Sequence, residues 1–128
     1  MRLLLDSQLI LWVAMFSNRL PEAARALMSD PHNELLFSAA SIWEITIKSL
    51  QRPADFRVDH RLLHRLLLDS GYTELPVTSR HALTIDALPP LHKDPFDRLL
   101  LAQAISEGIV LLTSDAQLAR YPGPVRLV

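Results

Sequence analysis

Residues 3–6 read Leu3-Leu4-Leu5-Asp6, a run apolar on both faces that ends abruptly in an acid. A strand with apolar side chains on each side belongs in the middle of a parallel sheet, covered by helices above and below. The pattern of an apolar segment running into an acid at or near a helix start returns three times. LLFSAASIWE (35–44) reaches Glu44, HKDPFD (92–97) reaches Asp97 and IVLLTSD (109–115) reaches Asp115. In an α/β fold with a mainly parallel sheet flanked by helices, the carboxyl ends of the strands open into one crevice, where groups from distant segments converge.

Converging carboxylates repel. At an effective dielectric near 20, two unit charges about 4 Å apart cost roughly 4 kcal/mol, so such a cluster needs protons, basic partners or a cation. An all-oxygen site for magnesium or manganese is the chemistry these residue types supply. Each acid also has a local reading. Ser41 to Glu44 spells a capping box, and Glu44 and Lys48 are spaced for an ion pair one turn apart. Asp94, Pro95 and Asp97 stand as N-cap, first and third helical positions, and Asp115 precedes a short helix. Asp94 is read as the cap. Asp6 resists a local reading: inside an apolar strand an unpaired carboxylate costs several kcal/mol, so it needs a partner or a metal.

Outward from these segments, helices are expected after Ser7 to about Met15, with Ser7 as cap, over Pro21–Ser29, Ala39–Leu50, Asp59–Asp69, Ser79–Leu88, Asp94–Glu107 and Ala116–Arg120. Strands are expected over Leu3–Asp6, Leu35–Ser38, Glu74–Val77, Val110–Leu112 and Val125–Val128, and a looser stretch around Arg52 to Asp55. Gly108 ends the most strongly signalled helix. Strands alternating with helices define the α/β class. The 128 residues make one domain, 1–128.

Hydrophobic residues at 49% and charged residues at 21% place the chain among globular proteins rather than disordered ones. With no cysteine there is neither a disulfide framework nor a thiolate site, and a reducing cytoplasm fits. Asp6, Ser7 and Gln8 interrupt the apolar start, and the run from Leu9 to Phe16 is far short of a membrane span. A net charge of −1 argues against a bulk basic surface, although Arg52, Arg57, Arg61 and Arg65 form a local basic stretch. Three glycines, at 71, 108 and 123, leave no place for a dinucleotide loop or a P-loop. His60 and His64 have ligand spacing, but Arg61 stands where a metalloprotease glutamate would, so they are read as part of a solvated basic face. Trp12, Trp43, Phe37 and Phe96 are read as core.

The strand LLLD with Ser7 behind it, the segment FSAASIWEITIK, the block HKDPFDRLLLAQA and the strand LLTSD, in this order, resemble the PIN-domain ribonucleases, especially the VapC-like toxins of bacterial toxin–antitoxin operons. The resemblance spans essentially the whole chain. It implies a metal-dependent endoribonuclease acting on RNA, with magnesium or manganese held by Asp6, Glu44, Asp97 and Asp115, which would be both the metal-binding and the catalytic residues. It also implies a homodimer and a cognate antitoxin protein covering the groove. Asp94 belongs to the DPFDR variant of the third motif, Ser7 replaces a threonine and Gln8 a histidine or asparagine. The rival readings are a DNA-directed nuclease of similar fold, a receiver-type signalling domain, and an RNA-binding module without activity. The receiver reading lacks paired acids after the first strand and a lysine on a late strand.

Overall fold

The computed structural model describes residues 1–51, 58–92 and 94–128. Five strands form one wholly parallel sheet: β1 (Arg2–Leu5), β2 (Glu34–Ser38), β3 (Thr73–Leu75), β4 (Val110–Thr113) and β5 (Val125–Leu127), in the order β3-β2-β1-β4-β5. The helices are α1 (Ser7–Ala14), α2 (Glu22–Ser29), α3 (Ala39–Gln51), α4 (His60–Asp69), α5 (Ser79–Thr84) and α6 (Pro95–Glu107), with 3-10 turns at Ile85–Ala87 and Leu118–Arg120.

The first strand occupies the centre, as its two-sided apolarity predicts. Leu4 lies between Leu36 of β2 and Leu111 of β4 in register. Because side chains alternate along a strand, Leu3 and Leu5 enter one core with Leu9, Ile10, Phe37, Ile45, Leu63 and Leu67. Leu4 enters the other, with Leu36, Leu100, Leu101, Leu111 and Tyr121. Thus α1, α3 and α4 cover one face and α6 the opposite one. All five strands point the same way, so the carboxyl ends of β1, β2 and β4 share one edge.

Local chemistry fixes several element ends differently from the sequence reading. Asp6 lies just past the strand as N-cap of α1, its carboxylate accepting from the Leu9 amide at 2.8 Å, while Ser7 is the first helical residue. Ser41 to Glu44 is not a capping box, because α3 already begins at Ala39; Ser38 Oγ accepts from the Ala40 amide at 3.0 Å in its place. The helix expected over Ser79–Leu88 changes to a 3-10 turn after Thr84, and that over Ala116–Arg120 is only a 3-10 turn. Pro76, which has no N–H for a ladder, stands just beyond β3. Asp94 and Gly108 bound α6 as expected, Gly108 with φ +66° in the left-handed region.

Phe37 is fully buried and Trp12 and Phe96 partly so. Trp43 is no core residue: it is 59% exposed and packs edge-on against Phe96 with ring centroids 5.1 Å apart. Its place beside Glu44 on α3 turns it toward solvent when Glu44 turns in. The stretch Arg52–Asp55, Arg57 and Lys93 lie outside the described residues. Among the described residues no helix is long and apolar enough to cross a membrane.

Candidate functional site

Asp6, Glu44, Asp97 and Asp115, from four separate segments, line one cleft of about 230 Å³ at the carboxyl edge of the sheet, together with Asp94. Ser7, Gln8, Lys48 and Ser114 complete its polar wall. Neither His60 nor His64 reaches it. They line a separate open groove with Arg61 and Arg65, where His64 lies 3.4 Å from Glu74 and edge-on to Phe37, so His64 is half-buried rather than fully solvated.

Each acid is held by its own element. Asp6 is buried where β1 hands over to α1; Oδ1 takes the Leu9 amide and Oδ2 takes the Thr113 hydroxyl at 2.6 Å. Burial pushes its carboxyl up from the usual range, against the opposing pull of these hydrogen bonds. Glu44 projects inward from α3 and is 5% exposed; Oε2 pairs with Lys48 Nζ at 2.9 Å. Its Oε1 is buried with no hydrogen-bond partner among the described residues.

Asp97 stands in the first turn of α6. Burial, then the negative charges of Asp94 and Glu44, push its carboxyl up to about 7, against the attraction of His92. Asp94 serves as the cap, accepting from the Phe96 amide at 2.9 Å and the Asp97 amide at 3.4 Å, and still lines the cleft, so the two readings of that residue are compatible. Asp115, just beyond β4, is half-exposed. Partial burial works against its charge, but hydrogen bonds from His92 and from the backbone amides of Gln117 and Leu118 outweigh it and hold the carboxyl below the usual range.

Two residues of the site escape a reading of the sequence. His92 Nε2 lies 3.1 Å from Asp115 Oδ2 and 3.3 Å from Asp97 Oδ2. Its only signal is its place two residues before a helix cap, which does not show where the ring points. Thr113 is a lone hydroxyl ending an apolar strand, and its partner Asp6 lies 107 residues away. Ser7 keeps its hydroxyl occupied with Ser41 Oγ at 2.9 Å, tying α1 to α3.

Among the described residues, five carboxylates therefore face one ammonium and one imidazole. A divalent cation fits this donor set on two observations among the described residues: the buried Glu44 oxygen lacks a partner, and burial together with the Asp94 and Glu44 charges pushes the Asp97 carboxyl up to about 7. Oxygen-rich clusters of this kind suit hard cations.

A parallel α/β sheet bearing an acidic cleft at its carboxyl edge defines the class to which this chain belongs. The PIN domain family model matches residues 3–124, and the chain is a member of that family. Among solved structures it is similar to a chain of VapBC2 from Rickettsia felis bound to a DNA fragment from its promoter, at 14% identity and TM-score 0.76 over 100% of this chain and 99% of that one. It is also similar to a chain of a DNA-bound VapBC from Salmonella typhimurium, at 17% identity and TM-score 0.68 over 98% and 97% of the two chains. A third likeness is to a toxin–antitoxin complex from Klebsiella pneumoniae, at 22% identity and TM-score 0.62 over 96% and 94%. No curated protein matches the sequence.

Proposed function

We propose that this chain is a metal-dependent endoribonuclease, hydrolysing RNA phosphodiester bonds as the toxin of a toxin–antitoxin pair. The observation that carries the reading is the convergence of Asp6, Glu44, Asp97 and Asp115 in one cleft. Family membership and similarity to chains from VapBC and other toxin–antitoxin complexes support it. In this reading the matched region acts as one PIN-like domain in the cytoplasm, forms a homodimer and is covered by a cognate antitoxin.

Asp6 and Asp97 would hold magnesium or manganese, with Glu44 and Asp115 as direct or water-mediated ligands. When bound, the cation acidifies a water and offsets charge on the phosphate under attack. The protein supplies position and proton balance. Asp97, its carboxyl raised to about 7, would have to lose its proton to solvent to serve as a ligand. Thr113 and the Leu9 amide hold Asp6 in place, and Lys48 ties down one oxygen of Glu44. Burial of Asp6 and Glu44 limits competing water, which strengthens each electrostatic contact in the cleft.

The test compares Asp97→Asn with wild type in cleavage of total RNA and in thermal stability with and without magnesium or manganese. A ligand role predicts loss of cleavage and of metal-induced stabilisation, with metal-free stability held or raised. Undiminished cleavage in Asp97→Asn would remove the proposed role.

A further inference from the structure

The geometry points to His92 as a positioning residue that donates a hydrogen bond to Asp115, stands against Asp97 and does not itself bind the cation. The inference rests on the metal-site reading above. His92, Asp97 and Asp115 each offer one atom, all within 4.8 Å of one another, which by distance alone suits a mixed nitrogen and oxygen triad. The other ring nitrogen decides against that arrangement. The Asp94 backbone N–H donates to His92 Nδ1 at 3.1 Å.

A peptide N–H only donates, so Nδ1 must keep its lone pair. In a neutral imidazole the single proton then sits on Nε2. Ligation through Nε2 would need that lone pair free, forcing the proton onto Nδ1 and setting two N–H groups against each other. As a donor, Nε2–H bonds Asp115 Oδ2 at 3.1 Å, and Asp97 Oδ2 lies 3.3 Å from the same nitrogen, so the ring stands between the start of α6 and the segment after β4.

The backbone of His92 is fixed by Tyr121. Tyr121, 4% exposed, accepts from the His92 amide at 2.8 Å and donates its hydroxyl to the His92 carbonyl at 3.3 Å. His92 thus holds two repelling carboxylates at ligand spacing and leaves the cation an all-oxygen donor set. Partners that orient metal ligands in this way typically change affinity ten- to a hundredfold when removed.

The test uses the full chain with magnesium or manganese alone as probe. Apparent affinities come from thermal unfolding against metal concentration for wild type, His92→Gln and His92→Ala. The glutamine amide can restore an N–H but offers no imidazole nitrogen. Affinity is expected to fall about tenfold or more in His92→Ala and only a few-fold in His92→Gln. Nitrogen-15 NMR of wild-type imidazole should show Nδ1 unprotonated both before and after magnesium is added, a readout that needs no variant to fold. Wild-type affinity in His92→Ala, equal losses in both variants, or transfer of the proton to Nδ1 on metal addition would each overturn the proposal. Absence of any metal stabilisation in wild type is a different failure: the metal-site reading falls, and this inference with it.

Discussion

Thr113 donates its hydroxyl to Asp6 across 2.6 Å, joining the carboxyl ends of the two central strands beneath the cleft. Its Oγ1 also accepts from the Asp115 amide at 3.0 Å, so one side chain fixes two acids from opposite ends of the sequence.

Thr113→Val keeps the shape and removes both roles. A buried carboxyl acceptor loses a donor, at a cost of about 1–3 kcal/mol. Urea unfolding measures this directly, and an unchanged midpoint and slope would show that Asp6 has found another partner.

The raised carboxyl of Asp97 sets a pH dependence. Its ordinary value is 3.8 and its folded value about 7. Between the two, the folded chain binds more protons than the unfolded one, so the Asp97 contribution makes metal-free stability fall as pH rises across that window. Asp97→Asn should flatten this slope in chelator, in denaturation curves taken at a series of pH values. Magnesium, competing with the proton, should bind more tightly as pH rises toward 7 and beyond.

Asp94 can be split into its two roles by substitution. Asp94→Ser keeps a capping oxygen and removes the charge, whereas Asp94→Ala removes both. The alanine variant should lose about 1 kcal/mol relative to serine. Both should lower the Asp97 carboxyl pKa, since the Asp94 charge helps raise it. Equal stability of the two variants would deny the cap its role.

Gln103 is fully buried in α6, accepting from Ser38 Oγ at 2.6 Å and donating to the Pro76 carbonyl at 3.3 Å. Gln103→Leu strands both partners and should cost about 1–3 kcal/mol. Because Ser38 caps α3, which carries Glu44, metal affinity should weaken as well. Intact stability and affinity would mean that water replaces the amide.

The order of elements and the central β1 were legible because Leu3 to Leu5 are apolar on both faces, and no surface or edge strand gains from that. The carboxylates were legible as a set because strand ends carried acids where alternation alone would not put them. Trp43 was misread because an aromatic in an apolar helical run looks like core until the inward turn of Glu44 fixes the helix rotation. Ser41 was misread because a capping box is a local pattern, and the sheet starts α3 two residues before Ser41. His92 and Thr113 were invisible as site residues because their partners lie across the fold, where a one-dimensional pattern carries no distance.

The central strand is made well before β4, the neighbour it needs on one side. Until residues 110–115 have left the ribosome, Asp6 lacks Thr113, the second core lacks Leu111, and Asp115 does not yet exist. Closing so long a loop is slow and comes late in folding. A chain cut or stalled before residue 115 therefore cannot present the complete acidic cleft, and synthesis itself delays its assembly until β4 and Asp115 have emerged.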